Sequence, residues 1–383
     1  MMGESYDDAS HWQQGMARRW HSVVTEGMIK TLKGERERGN QGPVWALDCG
    51  CGHGTATEAM MAAVLNAMQE HRDEIGGHLR CLCVIHNDLP SNRWSELFNT
   101  VNGPWGYAAE GPPTAMAFAS GKTMYERQAP DESLHLVVAF TSIHWMDHQP
   151  RPLSDGLVFQ CSTDTEATQA WLQVKQREWE TFLRLRSAEL VPGGRIVVSW
   201  VETEEGGGGK FKAIHNVMNI MADDGWVSRE TAKKACFPAT LLPMATLLEP
   251  WEGIDGRPTT SGPLPLPAPH RELPLQLEAV WTEDTNPAQQ HTETSDDDQE
   301  ADDAHFDKLV SSVRGWTEGM VTSFMVDDHQ EAGGHHDAAD SVDGVAAKVE
   351  QFYVTLREEL VRINGHKDAP LGIKNNVFVI KKI

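Results

Sequence analysis

Positive charge is what this chain has least of. Its 383 residues carry 33 Lys and Arg against 56 Asp and Glu, a formal net charge of −23. Binding to a nucleic-acid backbone needs a basic footprint, so no nucleic-acid partner is expected. Long apolar runs are also missing. The longest uninterrupted one is Ala59 to Leu65, far short of the ~20 residues that span a bilayer. The stretch from Met1 to Ala17 is polar and has no apolar signal core, so a cytoplasmic protein with no membrane partner is expected. Cysteine is sparse: Cys49, Cys51, Cys81, Cys83, Cys161 and Cys236. Four of these form two C-x-C pairs on expected strands or strand ends, where successive side chains point to opposite faces. Zinc favours C-x-x-C spacing, and reduced, buried thiols are the expectation in a cytosolic chain. His335-His336-Asp337, in a Gly- and Asp-rich loop, reads as solvated sequence rather than a metal site.

What remains is enough for a substantial core. Hydrophobic residues make up 40% of the chain, and the length suits one large domain with an insertion, or two domains. The acidity is uneven: Thr282 to Ala304 holds nine Asp or Glu and no Lys or Arg, the composition of a solvated, disordered insertion.

The chain is organised around Ala46-Leu47-Asp48-Cys49-Gly50-Cys51-Gly52-His53-Gly54. An apolar lead-in, an Asp, alternating glycines and then an Ala- and Met-rich run from Thr55 to Met68 read as strand, tight turn and helix. Glycines there allow positive φ and close approach of a ligand to the backbone. A phosphate cradle would want a Lys after the turn, and none follows Gly54. Asp48 would repel a phosphate and suits a ligand bearing an ammonium or a sulfonium, of which S-adenosylmethionine is the obvious example. A structural turn or a dinucleotide site could look similar.

Helical periodicity runs from about Trp12 to Leu32, with Trp12, Met16, Trp20, Val23, Val24 and Met28 on one stripe and Ser10 as an N-cap candidate. A second buried strand, Arg80 to Pro90, ends in Asn87-Asp88, and an acid there commonly binds ribose hydroxyls. It follows Asp48 by 40 residues instead of the usual ~20, which a longer helix and loop accommodate. Pro104 to Gly121 looks irregular. Ser133 to Phe140 is a third strand, and His144 and Trp145 just beyond it lie where open α/β sheets bind ligands. Trp171 and Trp179 are weaker candidates, since they fall on a helix from about Glu166 to Leu190 that stops at Val191-Pro192-Gly193-Gly194. Arg195 to Val201 is a further strand. Beyond it come an acidic Gly-rich linker, helices at about 211–222, 228–235, 306–324 and 345–364, a Pro- and Gly-rich stretch at 253–270, and a terminal strand at 375–382. The fold class is α/β: a doubly wound, Rossmann-like sheet (residues 1–204) interrupted by a mostly helical cap (205–364), with a last strand (365–383) returning to the sheet.

Seven blocks, in order, resemble the plant-type SABATH family of S-adenosylmethionine-dependent carboxyl and N-methyltransferases. Ser5-Tyr6 with Ser10 and Gln13 resembles S-Y-x-x-N-S-x-x-Q, and Asp48 to Cys51 resembles D-L-G-C. Asn87 to Asn92 resembles N-D-L-P-x-N, and Tyr125-Glu126-Arg127 resembles Y-x-R. Ser133 to His135 and Ser142 to Trp145 resemble S-L-H and S-L-H-W, and Glu189 to Arg195 resembles E-L-V-P-G-G-R. The resemblance implies cofactor contacts from Tyr6, Ser10, Asp48, Gly50, Asp88 and Leu89, with Thr123 and Met124 in the places of a Ser-Phe pair near the adenine. It implies substrate contacts from Gln13, His144 and Trp145, the first and last donating to a carboxylate, and a homodimer. Ala9 stands where the family has Asn, and Thr141 replaces a pocket Tyr. A D-x-F-N block associated with metal is degraded to Ala235-Cys236-Phe237-Pro238, so no metal is expected. The expected activity is methylation of a small organic acid to its methyl ester. N-methylation of a heterocycle such as a xanthine and a non-catalytic, cofactor-binding regulator are the alternatives.

Overall fold

The computed structural model describes residues 20–77, 80–109, 115–153, 155–202, 208–251, 263–285, 299–331, 338–364 and 373–383. Five strands make a parallel sheet: β1 (Val44–Cys49), β2 (Leu82–Asp88), β3 (Ala115–Gly121), β4 (Leu134–Phe140) and β5 (Leu190–Glu202). Three further strands extend it antiparallel, β6 (Pro263–Pro269), β7 (Leu275–Thr285) and β8 (Ile373–Lys382), to give the order β3-β2-β1-β4-β5-β8-β7-β6.

The central strands are apolar on both faces because both faces are covered. Val44 and Ala46 of β1, Leu136 and Val138 of β4, and Val377 and Val379 of β8 pack on one side against α1 (His21–Glu37), α2 (Thr55–Glu70) and α3 (Trp94–Val101). Their alternates Leu47, Cys49, Val137, Ala139, Phe378 and Ile380 pack on the other against α4 (Thr165–Glu189) and α7 (Met244–Leu248). Asp164 caps α4 by accepting from the Ala167 N–H at 3.0 Å, a bond typical of helix starts. A separate core joins α5 (Gly208–Asp223), α6 (Arg229–Lys234), α8 (Gln299–Glu331) and α9 (Ala338–Asn364) into the cap.

The start of the sheet is sealed by a buried ion-pair cluster. Arg80, 3% exposed, donates to Glu35 Oε2 at 2.9 Å and to the Gly42 carbonyl at 2.5 Å. His135 Nε2 lies 2.6 Å from the same Glu35 oxygen, while its Nδ1 accepts the Trp45 N–H at 3.1 Å. Burial alone would raise Glu35, but His135 and Arg80 bring it down to about 2. His135, the histidine of the S-L-H block, thus ties α1 to the sheet.

Three expectations need correction. The irregular stretch 104–121 contains β3, an edge strand whose residues are mostly half-exposed or exposed, so its Ala-, Ser- and Gly-rich sequence lacks the apolar signature of a buried strand. The Pro-rich stretch 253–270 contains β6, which tolerates its prolines because it is the opposite edge. The acidic segment begins inside β7 and ends inside α8, and its middle, 286–298, lies outside the described residues. So does His335-His336-Asp337. The chain therefore returns to the sheet twice within the region expected to be mostly helical. Among the described residues, no helix is long and apolar enough to cross a membrane.

Candidate active site

The ends of β1, β2 and β3 are tied together by the Asn-Asp pair that closes β2. The Asn87 carbonyl accepts the N–H groups of Gly50 and Cys51 at 2.8 and 3.1 Å. Its side-chain amide donates to the carbonyls of Ser120 and Lys122 at 3.0 and 2.6 Å. Asp88 accepts the Gly52 and Leu89 N–H groups, both at 2.8 Å, one on each carboxylate oxygen. Burial raises its pKa above the ordinary Asp value, against the pull of those two backbone donors. Asn92 donates to the Gly52 carbonyl at 2.8 Å. The glycines are required. Gly50 has φ +72°, and a Cβ on it would meet the Ser142 Cβ at 2.3 Å. Gly54, the residue before α2, has φ +87°, and a Cβ there would meet Leu97 at 2.6 Å.

Asp48 is 2% exposed and faces its parallel-strand neighbour His86. Its Oδ2 lies 3.0 Å from His86 Nδ1 and accepts from Thr57 Oγ1 at 2.5 Å. His86 Nε2 meets the Tyr107 hydroxyl at 2.8 Å. No Lys or Arg pairs with Asp48 among the described residues. Asp48, Cys51 and His86 also bring three potential metal-ligand atoms within 4.8 Å of one another. Both imidazole nitrogens are already hydrogen-bonded, and burial holds the Cys51 thiol well above its usual pKa, so the group reads as a hydrogen-bonded network.

The second wall of the site follows β4. Thr141, a β-branched residue, has φ +47°, an outlier for its type; its N–H donates to Ser199 Oγ at 2.7 Å. Ser142 Oγ donates to the Cys49 carbonyl at 2.7 Å. The next residues lean on the segment before α7: Met146 N–H donates to the Pro238 carbonyl at 2.7 Å, and Thr240 N–H to the His144 carbonyl at 2.9 Å. Below them the Lys175 ammonium is fully buried. Burial lowers it to about 8, with the Glu178 charge opposing. His144 Nδ1 is buried without a hydrogen-bond partner, and burial, then the Lys175 charge, lower this imidazole to about 3. It is therefore neutral at physiological pH.

A cavity of about 460 Å³ opens between these walls. Asp48, Gly50, Asp88, Leu89, Thr123, Met124, Thr141 and Trp145 all line it. His144 does not; its ring lies beside that of Trp145, 5.2 Å between centroids. Tyr6, Ser10 and Gln13 lie outside the described residues. Trp171 and Trp179, the weaker aromatic candidates, are core residues, 0 and 1% exposed. Ser142, Tyr125 and Met320 line the cavity without having been singled out as site residues. Ser142 and Tyr125 fall inside quoted motifs, whereas Met320 comes from α8 in the cap and carried no signal. His86 was legible as the polar residue that ends the apolar run of β2, just before Asn87-Asp88.

Residues 2–239 match the family model described as SAM dependent carboxyl methyltransferase. The chain belongs to that family. A probable 7-methylxanthine methyltransferase from Theobroma cacao is 29% identical over 161 residues, 39% of this chain and 43% of the relative. A probable jasmonic acid carboxyl methyltransferase from the same plant is 28% identical over 40% of this chain and 45% of the relative. The chain thus spans about half the length of these curated relatives. A solved structure of loganic acid methyltransferase with SAH superposes with a TM-score of 0.68, covering 99% of this chain and 96% of the other at 16% identity; it shows the shared fold. The cavity fits the family's cofactor, S-adenosylmethionine. Gly50 and Gly52 of the glycine turn line it, and its buried acid, Asp48, has no Lys or Arg partner among the described residues to compete with a cationic ligand.

Proposed function

We propose that the protein transfers a methyl group from S-adenosylmethionine to the carboxylate of a small organic acid, giving a methyl ester. The supporting observation is the single cavity that joins the glycine turn to Trp145. In this reading Asp48, Gly50, Asp88 and Leu89 hold the cofactor, Thr123 and Met124 flank its adenine, and Tyr6 and Ser10 add contacts from the N-terminal segment. The bound cofactor supplies a methyl group already activated by its sulfonium. A carboxylate, with an ordinary pKa near 4, is ionised at neutral pH and needs no general base. The chain's task is then to place the acceptor oxygen about 3 Å from the methyl carbon and exclude water. Gln13 and the Trp145 indole N–H can donate to a carboxylate without adding charge, which orients it while leaving its nucleophilicity largely intact. His144, neutral and with an unpartnered Nδ1, packs beside the Trp145 ring.

A second reading, N-methylation of a heterocycle, draws support from the similarity to a 7-methylxanthine methyltransferase. A labelled-methyl screen across aromatic, terpenoid, fatty and small aliphatic acids, with xanthines alongside, decides between them. Base-labile counts carried by an acid support the ester reading, and base-stable counts on xanthines replace it with the second. Trp145→Phe should cut ester formation about 10- to 100-fold, the scale of one lost hydrogen bond to a charged group, with S-adenosylhomocysteine affinity unchanged by calorimetry. Equal loss of both would contradict the acceptor role.

A further inference from the structure

Helix α4 carries two buried ion pairs outside the cavity lining. Lys175 pairs with Glu178 at 3.0 Å and Arg186 with Glu189 at 2.8 Å, and all four side chains are 8% exposed or less. The pairs repeat after 11 residues, three turns and about 16 Å along the axis, which returns them to within about 20° on the same helix face. Each reaches a different wall of the cavity.

The first pair holds the segment that carries Trp145. Lys175 Nζ donates to the Trp145 carbonyl at 2.8 Å and to the Tyr125 hydroxyl at 2.5 Å. Glu178 Oε1 accepts the Asp147 N–H at 2.8 Å. The second pair holds the segment that carries Thr123 and Met124. Arg186 donates to the Glu126 carbonyl at 2.8 Å and to the Met124 carbonyl at 3.4 Å. Glu189 Oε1 accepts the N–H groups of Gln128 and Ala129 at 2.7 and 3.3 Å. Tyr125 bridges the two: it sits in the second segment, lines the cavity, and its hydroxyl lies 2.7 Å from the Trp145 carbonyl and 3.0 Å from that of Ile143.

We propose that α4 is a two-armed splint in which Lys175–Glu178 positions the acceptor wall and Arg186–Glu189 positions the adenine wall, with the Tyr125 hydroxyl fixing the distance between them. Both arms grip main-chain atoms, so they set where Trp145 and Met124 sit without touching the reactants. These are positioning residues, and the assignment of the two walls rests on the methyltransferase reading above. Buried charges bonded to backbone are strong restraints, since removing one partner leaves the other unpaired in the interior.

The test is hydrogen exchange by mass spectrometry on the full chain, with calorimetry for S-adenosylhomocysteine. In Lys175→Met the amides of residues 143–147 should lose protection about tenfold or more while 124–129 keep theirs, and inhibitor affinity should stay within about twofold. Arg186→Met should do the reverse, exposing the amides of 128 and 129 and weakening S-adenosylhomocysteine about tenfold. Where the charge variants do not fold, Tyr125→Phe keeps the ring and deletes the bridge; it must loosen 143–147 and lower transfer to whichever acid the wild type methylates. Equal loosening of both segments in each variant, or no loosening in any folded one, overturns the splint. Failure of the wild type to bind S-adenosylhomocysteine would instead remove the methyltransferase reading, with the exchange pattern still able to show whether two separate arms exist.

Discussion

Two buried acids, each beside a histidine, sit at opposite ends of the same strands. At the start of the sheet Glu35 has Arg80, His135 and the Asn40 side-chain amide around it. At the carboxyl end Asp48 has, among the described residues, His86 and Thr57, and it lines an open cavity. Both carboxylates are about 2% exposed, so burial does not distinguish them. Compensation does. A fully paired buried acid is part of the scaffold; one with no Lys or Arg partner can take a cation from solution, the role proposed for Asp48.

The sharpest way to break that contrast is to remove the cation from the lower site. Arg80→Met should cost about 3–5 kcal/mol, the penalty for orphaning a buried charge, read as a lower urea midpoint. The variant that still folds should bind S-adenosylhomocysteine normally. Asp48→Asn should act in the opposite sense. Removing an incompletely compensated buried charge should leave stability unchanged or slightly raised, while S-adenosylhomocysteine affinity falls about tenfold, as for a hydrogen bond to a charged group. If Asp48→Asn unfolds the chain as Arg80→Met does, the two sites are equivalent and the contrast fails.

Acid titration tests the same difference more gently. Glu35 in the folded chain lies near 2, against an ordinary 4.5, so the unfolded chain binds the extra proton between those values. Its contribution is fully present above about pH 4.5 and is lost as the pH falls towards 2. His135→Gln, which removes the leading stabiliser of that carboxylate, should shift this loss to higher pH in urea titrations taken from pH 6 downward. The smallest effect belongs to the cavity wall. Thr141→Gly should relieve about 1 kcal/mol of left-handed backbone strain, raising the urea midpoint slightly.

Much of the site was legible because local rules dictate it. The Asp and glycines of the first turn, the Asn87-Asp88 strand end and the Trp145 block are short segments whose backbone demands are written in residue type, and all three meet at one cavity. His144 shows the limit: adjacency to Trp145 in sequence put it with the substrate, but in the fold it does not line the cavity, while its carbonyl accepts the Thr240 N–H. Edge strands β3 and β6 escaped because a half-solvated strand needs no apolar run, and Pro is tolerated where no partner strand waits for its N–H.

By itself the sequence determined strands β1, β2, β4 and β5, the glycine turn, the family and the cofactor class, since each depends on near neighbours or on a motif. Only the tertiary structure decided which acid is sealed in the scaffold and which lines the cavity. It also decided that Met320 of the cap lines the cavity, and that one face of α4 grips both walls. Those outcomes depend on which side chains meet across tens to hundreds of residues, and pairing between buried charges follows from packing that no local pattern encodes.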